Sequence, residues 1–318
     1  MKKIFITGGS GTIGSSFIKK YYNKFSFLSY SRNEKMQVSL KRQFPEVEIA
    51  LGSVEDKLVL SNCMRKFKPD YVIHAAALKH VDTAEISPIQ AVKSNIIGSL
   101  NVINAAFDSN VPLTIGISTD KACAPDNNYG HTKSLMERMF LESFSEKNKF
   151  LVCRFGNVTH SHGSVIPFWL RLRKNNDSLK LTDKRMTRLM FSRDESVTLV
   201  HKLLSSGLKA QSPYILSKKM KTVNLYKLAK IVSDDIKEIG LRPGEKLYEE
   251  LISKKELPYT DVDGDYIYIY QKISKGLKNL KQPYSSENAK EMTKEEMLDL
   301  VAETNESLKK SLIDKAIY

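Results

Sequence analysis

The sequence predicts an α/β fold: an open parallel sheet, doubly wound with helices on both faces, and a smaller second domain towards the carboxyl end. Three observations carry that expectation. Short apolar runs alternate with amphipathic stretches through the first half of the 318 residues. The first of these runs leads into a glycine-rich loop, Gly8-Gly9-Ser10-Gly11-Thr12-Ile13-Gly14. After Asn157 the alternation stops, and loop-like basic stretches such as Lys174-Asn175-Asn176-Asp177 take over.

Taken in order, residues 3–7 read as a buried strand because Ile4, Phe5 and Ile6 are apolar without alternation. Residues 12–23 follow as its helix. Residues 25–30 form the second strand and 33–43 the next helix; residues 47–51 form the third strand and 57–67 its helix. Residues 71–74 are a fourth strand. Residues 88–108 make a long helix with Pro88 in its first turn, where a missing N–H costs nothing. Residues 113–117 are a fifth strand, 128–144 a helix and 150–154 a sixth strand. A helix over 194–207 and a strand over 214–216 return to the main domain. Helices at 225–238 and 294–309, with a strand pair near 266–270, are assigned to the second domain. The main domain is then residues 1–157 with about 190–217, and the smaller one about 158–189 with 218–318.

Composition narrows the class. Hydrophobic residues are 41 %, enough for a sizeable core, and no run reaches the roughly 20 apolar residues of a membrane span. Met1-Lys2-Lys3 leads straight into a strand, so no signal peptide is read and a cytoplasmic protein is expected. Cys63, Cys123 and Cys153 suit reduced thiols rather than a disulfide framework or a zinc site. A formal charge of +14 permits nucleic-acid binding, but the basic residues are scattered, without an arm or an aromatic-interleaved run. An anionic small substrate, and no nucleic acid or membrane, is the expectation.

Thr7, Gly8, Ser10, Gly11, Thr12, Ile13 and Gly14 stand between a strand and a helix, where backbone amides approach a pyrophosphate and the helix dipole favours it. The second strand ends in Tyr30-Ser31-Arg32, with no acidic residue to hold a ribose hydroxyl. Ser31 and Arg32 suit a 2′-phosphate instead, which points to NADP rather than NAD.

Thr119, Asp120 and Lys121 follow the fifth strand, at the carboxyl edge of the sheet where open α/β sheets bind ligands. Tyr129 and Lys133 are four apart, hence on one face of the next helix. A neighbouring ammonium lowers a phenol's pKa, so Tyr129 is expected to take a hydroxyl proton while hydride leaves the same carbon.

These motifs resemble the extended short-chain dehydrogenases/reductases with a Rossmann domain. Within them the chain resembles the soluble, inverting UDP-N-acetylglucosamine 4,6-dehydratases of pseudaminic acid synthesis. The likeness runs nearly end to end. It includes Ala75-Ala76-Ala77-Leu78-Lys79-His80-Val81, Asn95-Ile96-Ile97-Gly98, Ser118-Thr119-Asp120-Lys121-Ala122 and Tyr129-Gly130-His131-Thr132-Lys133. Further on come Arg154-Phe155-Gly156-Asn157-Val158, Arg185-Met186-Thr187-Arg188, Leu241-Arg242-Pro243-Gly244-Glu245-Lys246-Leu247 and Tyr284-Ser285-Ser286. The Asp120-Lys121 pair is the specific part: commoner sugar-nucleotide dehydratases carry Asp-Glu there, and 4-epimerases lack the pair.

The resemblance implies tightly bound NADP, regenerated each turnover, a UDP-sugar substrate and at least a homodimer. It makes Lys121 the base at carbon 5 and Asp120 the acid for the departing hydroxyl. Lys121 should then have a lowered pKa and Asp120 a raised one. By the same likeness Ser53, Val54, Ala75, Ala76, Ala77, Lys79, Asn95 and Val158 join the cofactor site with Tyr129 and Lys133. Lys79, Asn157, His162, Arg188 and Arg242 face the substrate. Three departures from the family pattern stand out: Gly52-Ser53-Val54 replaces a Gly-Asp-Val whose Asp helps hold adenine, Ser161-His162-Gly163 replaces Ser-Arg-Gly and bears on substrate identity, and Glu287-Asn288-Ala289-Lys290 is less amide-rich than the family's version and bears on uridine or sugar contacts. His160 and His162 have no evident third ligand, so no metal is expected; His74 and Trp169 read as structural.

Overall fold

Ile4, Phe5 and Ile6 have no exposed surface, and their strand lies inside the sheet, covered on both faces. The computed structural model describes residues 1–161, 163–273, 276–303 and 308. Its first half runs β1 (Lys2–Thr7), α1 (Thr12–Tyr21), β2 (Phe25–Ser31), α2 (Glu34–Gln43), β3 (Glu48–Leu51), α3 (Lys57–Phe67) and β4 (Tyr71–His74). Then come α4 (Val81–Ile86), α5 (Pro88–Val92), α6 (Gly98–Asp108), β5 (Leu113–Thr119), α7 (Asn128–Glu142) and β6 (Lys149–Phe155). The second half runs β7 (Asn157–Val158), α8 (Val165–Lys174), β8 (Leu179–Leu181), β9 (Thr187–Phe191), α9 (Arg193–Ser206) and β10 (Tyr214–Lys218). It ends with β11 (Thr222–Asn224), α10 (Leu225–Val232), β12 (Ile236–Glu238), β13 (Glu250–Ile252), β14 (Thr260–Asp263), β15 (Tyr266–Tyr270), β16 (Tyr284–Ser285) and α11 (Lys294–Ala302).

The large sheet has the order β14-β15-β10-β6-β5-β4-β1-β2-β3. Every neighbouring pair from β3 to β10 is parallel, as the unalternated apolar strands predict. The strand order reverses at β1, which is flanked by β2 and β4. A crevice opens at the carboxyl ends on either side of that point.

Polar caps define the helices. Asn33 accepts from Met36 N, Asp56 from Val59 N and Asn127 from Gly130 N, each at the first turn of α2, α3 and α7. Ser192 and Glu195 form a reciprocal capping box on α9. Helix α1 begins differently: Gly11 caps it with no side-chain bond, and no acidic residue stands in its first turn. Its amino-terminal donors therefore face the crevice without an internal anion.

Four expectations change. The long helix at 88–108 carries a π turn over Lys93–Ile97, which buries Ser94 and Asn95. The helix expected over 225–238 stops at Val232, where Ser233 turns extended and Ile236–Glu238 pairs in parallel with β8. The strand pair assigned to the second domain instead joins the large sheet, with β15 antiparallel to β10 and β14 at the edge. The expected helix at 294–309 ends at Ala302 in the described residues, and most of its last turns lie outside them.

The core has two parts. One fills both faces of the large sheet. The other gathers Ile166, Trp169, Leu179, Leu181, Val223, Leu228 and Val301, where α8, β8, α10 and α11 meet. A cavity of about 900 Å³ lies between the crevice and this second cluster.

Candidate active site

Backbone shapes the first wall of the cavity. Gly8 has φ of 69°, and a Cβ there would come within 2.8 Å of Ala76 N. A Cβ on Gly14 would meet Gly9 Cα at 2.5 Å, so α1 packs against the loop only because Gly14 carries no side chain. Gly8 N–H donates to Tyr30 O (2.8 Å), tying the loop to the next strand. Gly8, Ser10, Gly11, Thr12 and Ile13 line the cavity, joined by Ser31, Arg32, Val54, Ala75, Ala76, Ala77 and Val158. This glycine cradle before an uncapped ten-residue helix fits a dinucleotide pyrophosphate. Ser10 Oγ donates to Ser31 Oγ (2.9 Å). Arg32 is exposed, with its nearest carboxylate, Glu55, 3.7 Å away.

Four residues expected in the cofactor site lie behind the wall instead. Thr7 is wholly buried, its hydroxyl 2.7 Å from His74 Nδ1. Burial pushes His74 down to about 3, so its ring is neutral and structural, as expected. Gly14 serves the helix–loop packing. Ser53 Oγ accepts from Glu55 N (3.3 Å) and its carbonyl accepts from Tyr30 OH (3.0 Å). Asn95 is spent on the loop: its side chain accepts from Leu78 N (2.8 Å) and donates to Leu78 O and Thr132 Oγ1 (both 2.9 Å). Asn95 thus holds residues 75–80 rather than touching the cavity.

The reacting centre stands at the end of β5. Thr119, Lys121, Tyr129 and Lys133 line the cavity; Asp120 does not. Asp120 is 1 % exposed, and its Oδ1 accepts from Thr119 Oγ1 (2.9 Å), Lys121 N (2.9 Å) and Lys121 Nζ (3.1 Å). Its Oδ2 is buried with no hydrogen-bond partner among the described residues, 3.1 Å from where a Cβ on Gly156 would sit. Gly156 is on the cavity wall, so only a glycine-thin layer of backbone screens that oxygen.

A residue absent from the sequence reading completes the cluster. Glu249 is 3 % exposed, with Oε1 3.5 Å from Lys121 Nζ. Burial opposes the charge on Lys121, but Asp120 and then Glu249 outweigh it, with Arg188 opposing. The ammonium is therefore held above the ordinary lysine value, which corrects the expected lowering. Burial raises the Glu249 carboxyl, and Lys121 only partly offsets this.

Burial also pushes the Tyr129 phenol up to about 12, and the first cation to oppose it is Lys121. Lys133, 3 % exposed, is itself drawn down to about 8 by burial, with Glu137 opposing. The expectation that Lys133 lowers the phenol is corrected: desolvation of the ring outweighs the nearby charge.

The far wall holds the expected substrate residues. Lys79, Asn157, Arg188 and Arg242 line the cavity, whereas His162 lies outside the described residues. Lys79 Nζ donates to Ser161 Oγ (3.3 Å). Arg188 is 6 % exposed and donates to the carbonyls of Thr187 (2.7 Å), Leu247 (3.1 Å) and Lys246 (2.9 Å). It clamps the segment that carries Glu249. Behind the centre Arg154 binds Glu137 through two hydrogen bonds (2.8 and 2.6 Å), Glu256 at 2.8 Å and Leu251 O at 3.0 Å. Cys123 Sγ donates to Glu256 (3.1 Å); burial pushes its thiol well up, so it is no nucleophile. No group of three or more His, Cys, Asp or Glu is placed to hold a metal, and no helix is long and apolar enough to cross a membrane, among the described residues.

Sheet order, glycine cradle and the Tyr129–Lys133 helix define an extended short-chain dehydrogenase/reductase. More narrowly, the chain belongs to the polysaccharide biosynthesis protein family, whose profile matches residues 4–271. It is 38 % identical to a UDP-N-acetylglucosamine 4,6-dehydratase (inverting) of Campylobacter jejuni over 267 residues, covering 80 % of this chain and 78 % of that one. It is 33 % identical to a UDP-glucose 4-epimerase of Rickettsia bellii over 329 residues, covering 94 % and 95 %. The crystal structure of Pen from Bacillus thuringiensis superposes with a TM-score of 0.88 at 31 % identity, covering 96 % of this chain and 98 % of that one.

Proposed function

We propose that the protein is an NADP-dependent UDP-N-acetylglucosamine 4,6-dehydratase that inverts carbon 5, making a UDP-4-keto-6-deoxy-L-hexosamine. The observation that carries this reading is the Asp120–Lys121 pair at the end of β5, its amine opening on the cavity beside Tyr129. The C. jejuni relative supports it, and the pair argues against the epimerase reading that the R. bellii relative favours.

Gly8–Ile13 and the amino end of α1 would hold the pyrophosphate of the dinucleotide, with Ser31 and Arg32 at its 2′-phosphate. The bound nicotinamide supplies a hydride acceptor for carbon 4 and a donor for carbon 6. The Tyr129 phenol, once it has lost its own proton to water, takes the proton from the 4-hydroxyl, with Thr119 close enough to steady the phenolate. The ketone acidifies carbon 5, and Lys121 removes its proton. Asp120, a carboxylate at rest, must first take up a proton from water on its free Oδ2; it then gives that proton to the departing 6-hydroxyl once the Gly156 backbone yields. Lys79, Asn157 and Arg242 hold the sugar and diphosphate.

The reading includes a division into a dinucleotide domain and a substrate domain, which the second apolar cluster supports. It also includes a cytoplasmic homo-oligomer supplying pseudaminic acid-type polysaccharide. Exposed Ile86, Ile89, Val92, Ile97, Leu100 and Leu135 support self-association.

The test is incubation of the protein with UDP-N-acetylglucosamine, followed by NMR of the sugar. A dehydrated 4-keto sugar with altered configuration at carbon 5 is expected. Recovery of a sugar inverted only at carbon 4, with all its oxygens, would establish the epimerase instead.

A further inference from the structure

Lys121 sits between two buried carboxylates, and the sequence motif accounts for only one. On one side Asp120 Oδ1 is 3.1 Å from Nζ; on the other Glu249 Oε1 is 3.5 Å away. The Glu249 backbone is pinned: its N–H donates to Ser286 Oγ (3.0 Å) and its carbonyl accepts from Ser286 N (2.9 Å). Arg188 locks the two carbonyls just upstream. The charged or titratable groups facing this cluster are Asp120 and Lys121 after β5, Tyr129 on α7, Arg188 on β9, and Lys246 on the segment of Glu249 itself.

We propose that Glu249 is a positioning residue for Lys121: it fixes the amine towards the cavity and stores the proton that Lys121 must shed before it can act as a base. The second half of this statement rests on the dehydratase reading. An N–H bond of the ammonium breaks as an O–H bond forms on the Glu249 carboxylate, leaving a neutral amine and a neutral acid. The freed lone pair then takes the carbon 5 proton, while the C–H electrons pass into the enolate. When Lys121 discharges that proton, Glu249 returns the stored one and the pair is reset. Burial works towards this exchange, because it disfavours both charged partners, while the Asp120 carboxylate holds the ammonium against it. The raised Glu249 carboxyl agrees with a group ready to accept a proton.

The test reads Lys121 directly, without substrate. Full-length protein is labelled with acetic anhydride across a range of pH, and modification of Lys121 is followed by peptide mass spectrometry. Glu249→Gln removes a negative charge beside the amine, so the labelling midpoint moves towards acid by about one pH unit, or roughly tenfold more labelling at a fixed pH below it. Glu249→Asp keeps the charge but withdraws it by one methylene, and shifts the midpoint the same way by less. It also serves alone if the Gln variant does not fold. An unchanged midpoint in the folded variant overturns the proposal. In the dehydration assay, the Lys121 limb of the kcat–pH profile moves with the labelling midpoint in Glu249→Gln. A uniform rate loss with an unmoved limb marks a merely structural residue and also overturns it. A shifted midpoint in a protein that turns over no UDP-sugar leaves Glu249 as the charge partner and removes the dehydratase reading alone.

Discussion

The glycine cradle of residues 8–14 and the segment 241–256 face the same cavity, but different physics holds each. The cradle uses backbone: positive φ at Gly8, Gly14 seated on Gly9, and an uncapped helix end. The later segment uses buried charge: Glu249 against Lys121, Glu256 against Arg154, and carbonyls captured by Arg188. A backbone site tolerates side-chain change but no added Cβ. A site built on buried charge tolerates repacking but not the loss of one partner.

The largest expected effect lies in the charged region. Arg154→Met leaves Glu137 and Glu256 buried without their guanidinium and costs about 3–5 kcal/mol, read by urea denaturation. A near-neutral result would mean that this region is held by packing alone. In the cradle, Gly8→Ala puts a Cβ against the Ala76 backbone at positive φ. It weakens dinucleotide binding by about 2 kcal/mol, roughly thirtyfold, with little change in substrate affinity, read by calorimetric titration. Arg32→Ala, at the open rim of the cradle, costs about tenfold in NADP affinity and leaves NAD unaffected. Equal losses for both would remove the 2′-phosphate assignment.

The last effect is a slope with pH. His74 has an ordinary value of 6.5 and falls to about 3 in the folded protein. Between those values the unfolded chain binds a proton that the folded one refuses, so stability falls as pH drops, by up to about 1.4 kcal/mol per unit. His74→Gln should flatten this part of the stability curve. Thermal melts from pH 7 to pH 4 check the sign.

The contrast also explains what the sequence could reveal. The cradle, the parallel strands and the Thr119–Lys133 stretch were legible because their signals are local: glycine spacing, apolar runs and a four-residue helical repeat. Glu249 was not, because it meets Lys121 only after β13 pairs with β16 near the end of the chain. Its one local trace is a Glu249-Glu250 doublet before an apolar pair, which reads equally as solvated charge. The strand pair expected near 266–270 joins the large sheet rather than the second domain for a related reason: alternating Tyr and Ile signal a strand but not which sheet it joins. Asn95 looked like a cofactor contact from its motif, yet a π turn rotates it onto the Leu78 backbone.

The central claim is that the Lys121 amine takes the carbon 5 proton of a ketosugar. The most direct measurement follows deuterium entry at carbon 5 from heavy water, for wild type and Lys121→Ala, by mass spectrometry of the UDP-sugar. Wild type should lose water and gain one deuterium there, whereas the variant should bind the dinucleotide normally and slow both events by about a thousandfold. Water loss and deuterium uptake at the wild-type rate in Lys121→Ala would contradict the account.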